Sequence, residues 1–138
     1  MRVLAVLHLI AAAGIALFWV GFYTELTFPR AELAQKIPHF EAYYAFEKSF
    51  TIPDLTTALV MVIAAIALLR DPTNPRARTL LVAASGAITF LAMLDTIYDL
   101  QNGLYSLGPF SLELMTVPLI GILGVATIVV GIVGPSER

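Results

Sequence analysis

The sequence predicts an all-α membrane protein: a four-transmembrane-helix bundle with a partly helical extracytoplasmic cap between its first and second helices. Three observations predict it. Of 138 residues, 59% are hydrophobic and 13% charged, against roughly a quarter charged in a soluble domain; the mean hydropathy is +0.86. Residues 3–23 carry no formal charge, and ~20 such residues cross a bilayer core. Three more apolar stretches follow, bounded by proline, glycine, asparagine or charge.

The whole chain, 1–138, reads as one integral membrane domain with helices over about 3–23, 53–69, 77–98 and 112–133. The first contains the small run Ala11-Ala12-Ala13, but its apolar stretch is too long for a signal-peptide core. It is expected to be retained as a transmembrane helix, with His8 near its inner end as a satisfied or interfacial residue. Residues 24–52 are polar and aromatic, and long for a plain connection. Pro29 and Pro38 can open short helices over 30–37 and 39–50, since proline suits a first turn. Phe40, Tyr43, Tyr44, Glu47 and Phe50 then fall at helical spacings, as in an interfacial helix or a cap.

The second long helix places Asp54 in its first turn, where the dipole favours an anion. Asn74 followed by Pro75 reads as the N-cap and first residue of the third. Gly103, Gly108 and Pro109 mark a turn after it. Ser111 is a plausible N-cap for the fourth, with Glu113 in its first turn and Pro118 as a kink. Gly14, Gly86 and Gly124 are expected to face other helices, because small residues let helices approach in lipid.

Orientation follows from arginine and lysine. With four spans, both termini share a side with the Arg70–Arg78 turn. That side holds five positive charges against Asp71 and Glu137, or +3. The other holds Arg30, Lys36 and Lys48 against eight acids, or −5, and the two sides sum to the net −2. The protein is therefore expected in the cell membrane, multi-pass, with both termini cytoplasmic.

The polar residues gather at the outer end. Asp95, Asp99 and Asn102 share one helical face. From Arg78 to Asp95 is ~25 Å, and from Arg70 to Asp54 ~24 Å, at ~1.5 Å per residue. If both arginines sit at the inner boundary, Asp54 and Asp95 reach one depth, about a turn inside the outer boundary of a ~30 Å core. Asp99, Glu25 and Glu113 would lie near the boundary itself. An intramembrane acid costs ~2.5–3.5 kcal/mol without a partner, so two at one level argue for a shared pocket. Of one Trp, five Tyr and eight Phe, all but Phe90 fall in this outer half or its connections. The candidate ligand-binding set is Glu47, Asp54, Asp95, Asp99, Asn102, Tyr98, Tyr44 and Trp19. The plainer alternative has Asp54 serving a helix N-terminus, Asp95 and Asp99 paired with Lys48 or Arg30, and the aromatics as interface anchors.

The segments YYAFEKSFTIPD and FLAMLDTIYDLQNGLY together resemble small uncharacterised prokaryotic four-helix membrane proteins. These carry an FE…D motif before the second helix and a D…NGxY motif after the third. The likeness covers about 43–105 and implies the fold but no activity. A fainter similarity is to the emopamil-binding/sigma-2-receptor superfamily, where intramembrane acids and aromatics bind amphipathic amines or sterols. It would give such a role to Glu47 or Asp54 and to Asp95. The chain lacks the membrane-embedded histidine of that superfamily's isomerases.

Several classes are disfavoured by composition. No cysteine means no disulfide, thiolate or cysteine-ligated metal. Two histidines far apart argue against a His-rich zinc site. The negative net charge gives nucleic acid no electrostatic support. A hard cation such as Ca²⁺ would use Asp54, Asp95, Asp99 and the Asn102 oxygen, but DxxxDxxN matches no established calcium loop, so no metal or cofactor is assigned. The leading expectation is a non-enzymatic protein whose outer-leaflet pocket binds a lipid, an amphipathic amine or a cation, as a homo-oligomer or an accessory subunit of a larger membrane complex. The alternatives are an isomerase-like membrane enzyme acting on a lipid or isoprenoid, with Asp95 or Glu47 as acid/base, and an ion-coupled transporter.

Overall fold

The computed structural model describes residues 1–26, 29–106 and 111–133, with the side chains of 111–115 excepted. Its order is α1 (Arg2–Tyr23), α2 (Arg30–Lys36), α3 (Phe40–Ser49), α4 (Thr51–Arg70), α5 (Pro75–Gln101), a single 3₁₀ turn (Leu104–Ser106) and α6 (Ser111–Val133). No strand occurs among the described residues. Among the described residues, four helical stretches, within α1, α3–α4, α5 and α6, are long and apolar enough to cross a membrane.

Their surfaces say the same. Leu17 on α1 is 70% exposed and Ile132 on α6 73% exposed, and Leu59, Phe90 and Ile122 also face outward. Such a surface is stable in hydrocarbon, which leaves close packing and internal polar contacts to hold the helices together. This is an all-α integral membrane protein.

The helix ends have local causes. α1 stops where Thr24 donates its hydroxyl to the Val20 carbonyl at 2.7 Å and Glu25 turns left-handed at φ 59°. α5 starts as expected: Asn74 Oδ1 accepts from the Ala77 amide at 3.0 Å, with Pro75 as its first residue. Two boundaries differ from the sequence expectation. The second long helix begins at Thr51, not at residue 53, and only Phe50 separates it from α3. Pro53 explains the interruption, since it has no N–H for the Ser49 carbonyl. α5 runs on to Gln101, past the expected end at residue 98, so Asp99 is inside a helix and Asn102 is its C-cap. The expected turn at Gly108 and Pro109, and the side chains of Ser111 and Glu113, lie outside the described residues.

The long helices alternate in direction. α1 packs along α4, α4 along α5, and α5 along α6, while α1 and α6 barely meet. At the end that holds Met1, Ala5, Ala64, Ala65, Leu68, Ala77 and Leu81 form a core of mostly small side chains. There Arg78 donates to the Gly131 carbonyl at 2.9 Å, closing the last turn of α6 with a cation. At the other end α2 and α3 cover the bundle. Phe22 stacks on Tyr44 at 10° and 5.1 Å, and Arg30 lies 4.2 Å above the Tyr44 ring.

The glycines divide. A Cβ on Gly124 would lie 2.7 Å from the Ser85 carbonyl, and one on Gly121 3.2 Å from Ala92 Cβ. These glycines permit the α5–α6 approach. A Cβ on Gly14 or Gly86 meets nothing within 4 Å. The expectation that those two mediate helix contact is therefore corrected.

Candidate functional site: a cleft between α1 and α6

Because α1 and α6 splay apart, the bundle is open along one seam. A cavity of about 500 Å³ fills it, within the ~300–1,000 Å³ usual for ligand pockets. Leu7, Ile10, Gly14 and Phe18 of α1 form one wall and Val117, Ile120 and Leu123 of α6 the other; Ile88 and Ala92 of α5 form the floor. Gly14 supplies room, since its missing side chain leaves open space. From Leu7 to Trp19 is 12 residues of helix, ~18 Å at ~1.5 Å each. That is a little over half of a ~30 Å hydrocarbon core.

Polar groups occupy one end of the cleft only. Glu47 of α3, Asp54 of α4 and Asp95 of α5 line it there beside Trp19 and Phe50. Trp19 Nε1 donates to Asp54 Oδ2 at 3.2 Å. The Glu47 and Asp95 carboxyl groups are neighbours, and the Asp54 and Asp95 charges act on each other. Asp95 Oδ1 is buried and accepts no hydrogen bond. Carboxylate oxygens of Glu47, Asp95 and Asp99 lie within 4.8 Å of one another, so among the described residues these three form a group that could hold a metal ion.

The structure thus brings Trp19, Glu47, Asp54 and Asp95 into one cavity. Asp99 joins the carboxylate cluster without lining the cavity, while Asn102, Tyr98 and Tyr44 stand apart from it. Asp99, expected near the membrane boundary, is 2% exposed and lies inside α5, which continues past it to Gln101. Asn102 does not reach the site; its side-chain amide donates to the Tyr98 carbonyl at 2.8 Å. Tyr98 stacks on Phe46 at 3.7 Å and 12°. Tyr44 stacks on Phe22 beneath Arg30. Both tyrosines build the cap, and neither lines the cleft. Arg30, the alternative partner of the α5 acids, also reaches toward Glu41, at 4.0 Å. Tyr105, outside the long helices, has its hydroxyl pKa pushed up by burial, with a Thr96 hydrogen bond opposing and the Asp99 and Asp95 charges adding to the rise.

Sequence reasoning missed the cleft walls, Phe18 and Phe50 included. They carry no signal beyond apolarity, and Gly14 looks like any packing glycine. It also missed a contact. His8 Nδ1 lies 2.8 Å from the Leu4 carbonyl and Nε2 2.9 Å from Ser85 Oγ. Ser85 in turn reaches the Leu81 carbonyl at 2.7 Å. His8 and Ser85 are both 0% exposed and neither lines the cleft. They tie α1 to α5 as a satisfied core pair, which excludes the interfacial alternative for His8.

Fold and site together define an integral membrane helical bundle with a side cleft whose acids stand at one end. No family model matches the chain, and the searches of curated proteins and of solved structures return no similar protein.

Proposed function

We propose that the protein is a non-enzymatic membrane protein that takes a single-chain amphiphile with a cationic head into the cleft between α1 and α6. Four helices cross the membrane, both termini are cytoplasmic, and the carboxylates stand in the outer leaflet. The observation that carries this reading is the cleft's polarity. Its length is apolar and about one leaflet deep, while Asp54, Asp95 and Glu47 close one end. An aliphatic tail suits the walls by apolar burial. An ammonium head suits the acids by charge and the Trp19 and Phe50 rings by cation–π attraction. The positive-charge asymmetry of the sequence supports the orientation.

Trp19 tests it, because it is the one tryptophan in the chain and it lines the cleft. Tetradecyltrimethylammonium is titrated into nanodiscs holding the protein, and Trp19 emission is followed. A saturable change is expected in wild type. Asp54→Asn/Asp95→Asn should weaken binding at least tenfold, and Gly14→Leu should abolish it by filling the cleft without touching an acid. A Gly14→Leu variant that binds like wild type would sink the proposal.

A further inference from the structure

We infer that the cleft selects a head that brings its own N–H groups, a protonated amine, over a fully methylated ammonium, and that Asp95 makes the choice. This rests on the amphiphile-binding reading and names the class of head it favours. The lining of the cleft is rich in acceptors and poor in donors. Glu47, Asp54 and Asp95 each present a carboxyl group to it, with about four lone-pair positions apiece when ionised. The same lining contributes an indole N–H from Trp19 and a hydroxyl from Thr116, and among the described residues no lysine, arginine or histidine is part of it. The indole is already committed, donating to Asp54 Oδ2 at 3.2 Å. Asp95 Oδ1 is buried and accepts no hydrogen bond among the described residues.

An acceptor buried without a donor costs free energy, and a ligand that supplies the donor recovers it. Asp95 lines the cavity. The last torsion of an aspartate is broad and roughly two-fold, so rotation about Cβ–Cγ turns its acceptor capacity toward the head. A carboxyl group keeps such capacity in either protonation state, so the preference does not turn on titration. An N–H head approaches the oxygen to ~2.7–2.9 Å through a charge-assisted bond. A methylated head meets it through carbon at ~3.3–3.6 Å, with its nitrogen farther away still, and Coulomb attraction falls with that distance. The N–H head gives up more water on entry, but hydrogen bonds to charged groups stay net favourable after that exchange. The Trp19 and Phe50 rings attract either kind of cation and so do not decide between them.

The test compares three probes with the same tail: tetradecylammonium, tetradecyldimethylammonium with one N–H, and tetradecyltrimethylammonium with none. Each is titrated into zwitterionic nanodiscs holding the full-length protein near pH 7, well below the ~10.4 of an alkylammonium. Trp19 emission reports binding, and affinities are expressed against probe in the nanodisc lipid, so that unequal partitioning cancels. The order should follow the number of N–H groups, with the first probe at least tenfold tighter than the last. Asp95→Ala removes a charge from both heads' surroundings but a hydrogen bond only from the N–H head, so the ratio should fall toward one. Asp54→Asn should weaken the two probes alike and keep the ratio. A trimethylammonium probe that binds as tightly as the primary one overturns the selectivity and leaves the amphiphile reading standing. An unchanged ratio in Asp95→Ala, or its collapse in Asp54→Asn instead, overturns the assignment to Asp95. Absence of saturable binding by all three probes overturns both readings. If Asp95→Ala does not fold, the wild-type order of the three probes decides alone.

Discussion

Replacing each of three glycines by alanine should have different consequences, although the three look equivalent in sequence. At Gly124 the added Cβ would lie 2.7 Å from the Ser85 carbonyl and would also strike Thr89 Oγ1. Real Cβ atoms essentially never come closer than 3.0 Å to such an atom, so the backbones of α5 and α6 must part by at least 0.3 Å. Thr89 must also move, and its 2.7 Å hydrogen bond to the Ser85 carbonyl is disturbed. Overpacking a tight contact costs about 1–3 kcal/mol, and a polar contact in a bilayer is worth about 0.6 kcal/mol. Gly124→Ala is therefore expected to destabilise by about 2 kcal/mol, a more than tenfold change in the folding equilibrium. At Gly14 and Gly86 the new Cβ meets open space. A bilayer keeps helices formed even when the bundle comes apart, so the usual Gly→Ala helix gain of about 0.5–1 kcal/mol is largely lost, and both variants should stay within about 0.5 kcal/mol of wild type. Steric trapping in bicelles measures these differences at equilibrium. Equal losses at all three glycines, or none at Gly124, would refute the assignment of the α5–α6 seam as the tight contact.

Four further outcomes are expected. Ser85→Ala and His8→Ala should each destabilise by about 1–3 kcal/mol, the cost of a buried polar group losing its partner, and the double variant by less than their sum, as a double-mutant cycle would show. Cysteines placed at Thr73 and Gln35 should label from opposite sides of an intact membrane; labelling from one side would end the four-span orientation. Asp71 accepts from the Thr73 hydroxyl at 2.7 Å and from its amide at 3.0 Å, which holds its carboxyl below the ordinary range. A depressed folded value gives stability that is present above the ordinary ~3.9 and is lost as pH falls through the folded value, so Asp71→Asn should flatten the acid limb of unfolding in detergent. Trp19→Phe keeps an aromatic ring but removes the donor to Asp54, so it should weaken binding of the ammonium probe, read by calorimetry, more than it lowers thermal stability.

Much of the site was legible because helix propagation and hydrophobic length are local properties. Asp54 and Asp95 could be placed at one depth by counting from Arg70 and Arg78, since the rise per residue is constant. Glu47 joined them because α3 runs almost straight into α4, which the proline at residue 53 concealed. Asn102 was grouped with the acids by helical spacing alone, but it stands at the C-cap of α5, and its own amide is satisfied four residues back. Tyr44 and Tyr98 were named for their chemistry, yet their rings stack on Phe22 and Phe46 and hold the cap down.

Taken alone, the sequence determined that this is a membrane bundle, which stretches are long enough to span, and which end carries the acids. Composition, charge placement and helical rise suffice for that. Only the tertiary structure decided which faces meet. Gly14 and Gly124 are the same residue in equally apolar helices, but Gly124 sits against the Ser85 carbonyl while Gly14 opens onto the cleft. His8 and Ser85, 77 positions apart, become neighbours only when α1 and α5 are set beside α4. The cleft exists because α6 packs on α5 and leaves α1 uncovered. In hydrocarbon, apolar faces gain little by choosing one neighbour over another, so shape and a few polar contacts make that choice, and a linear hydropathy pattern does not record them.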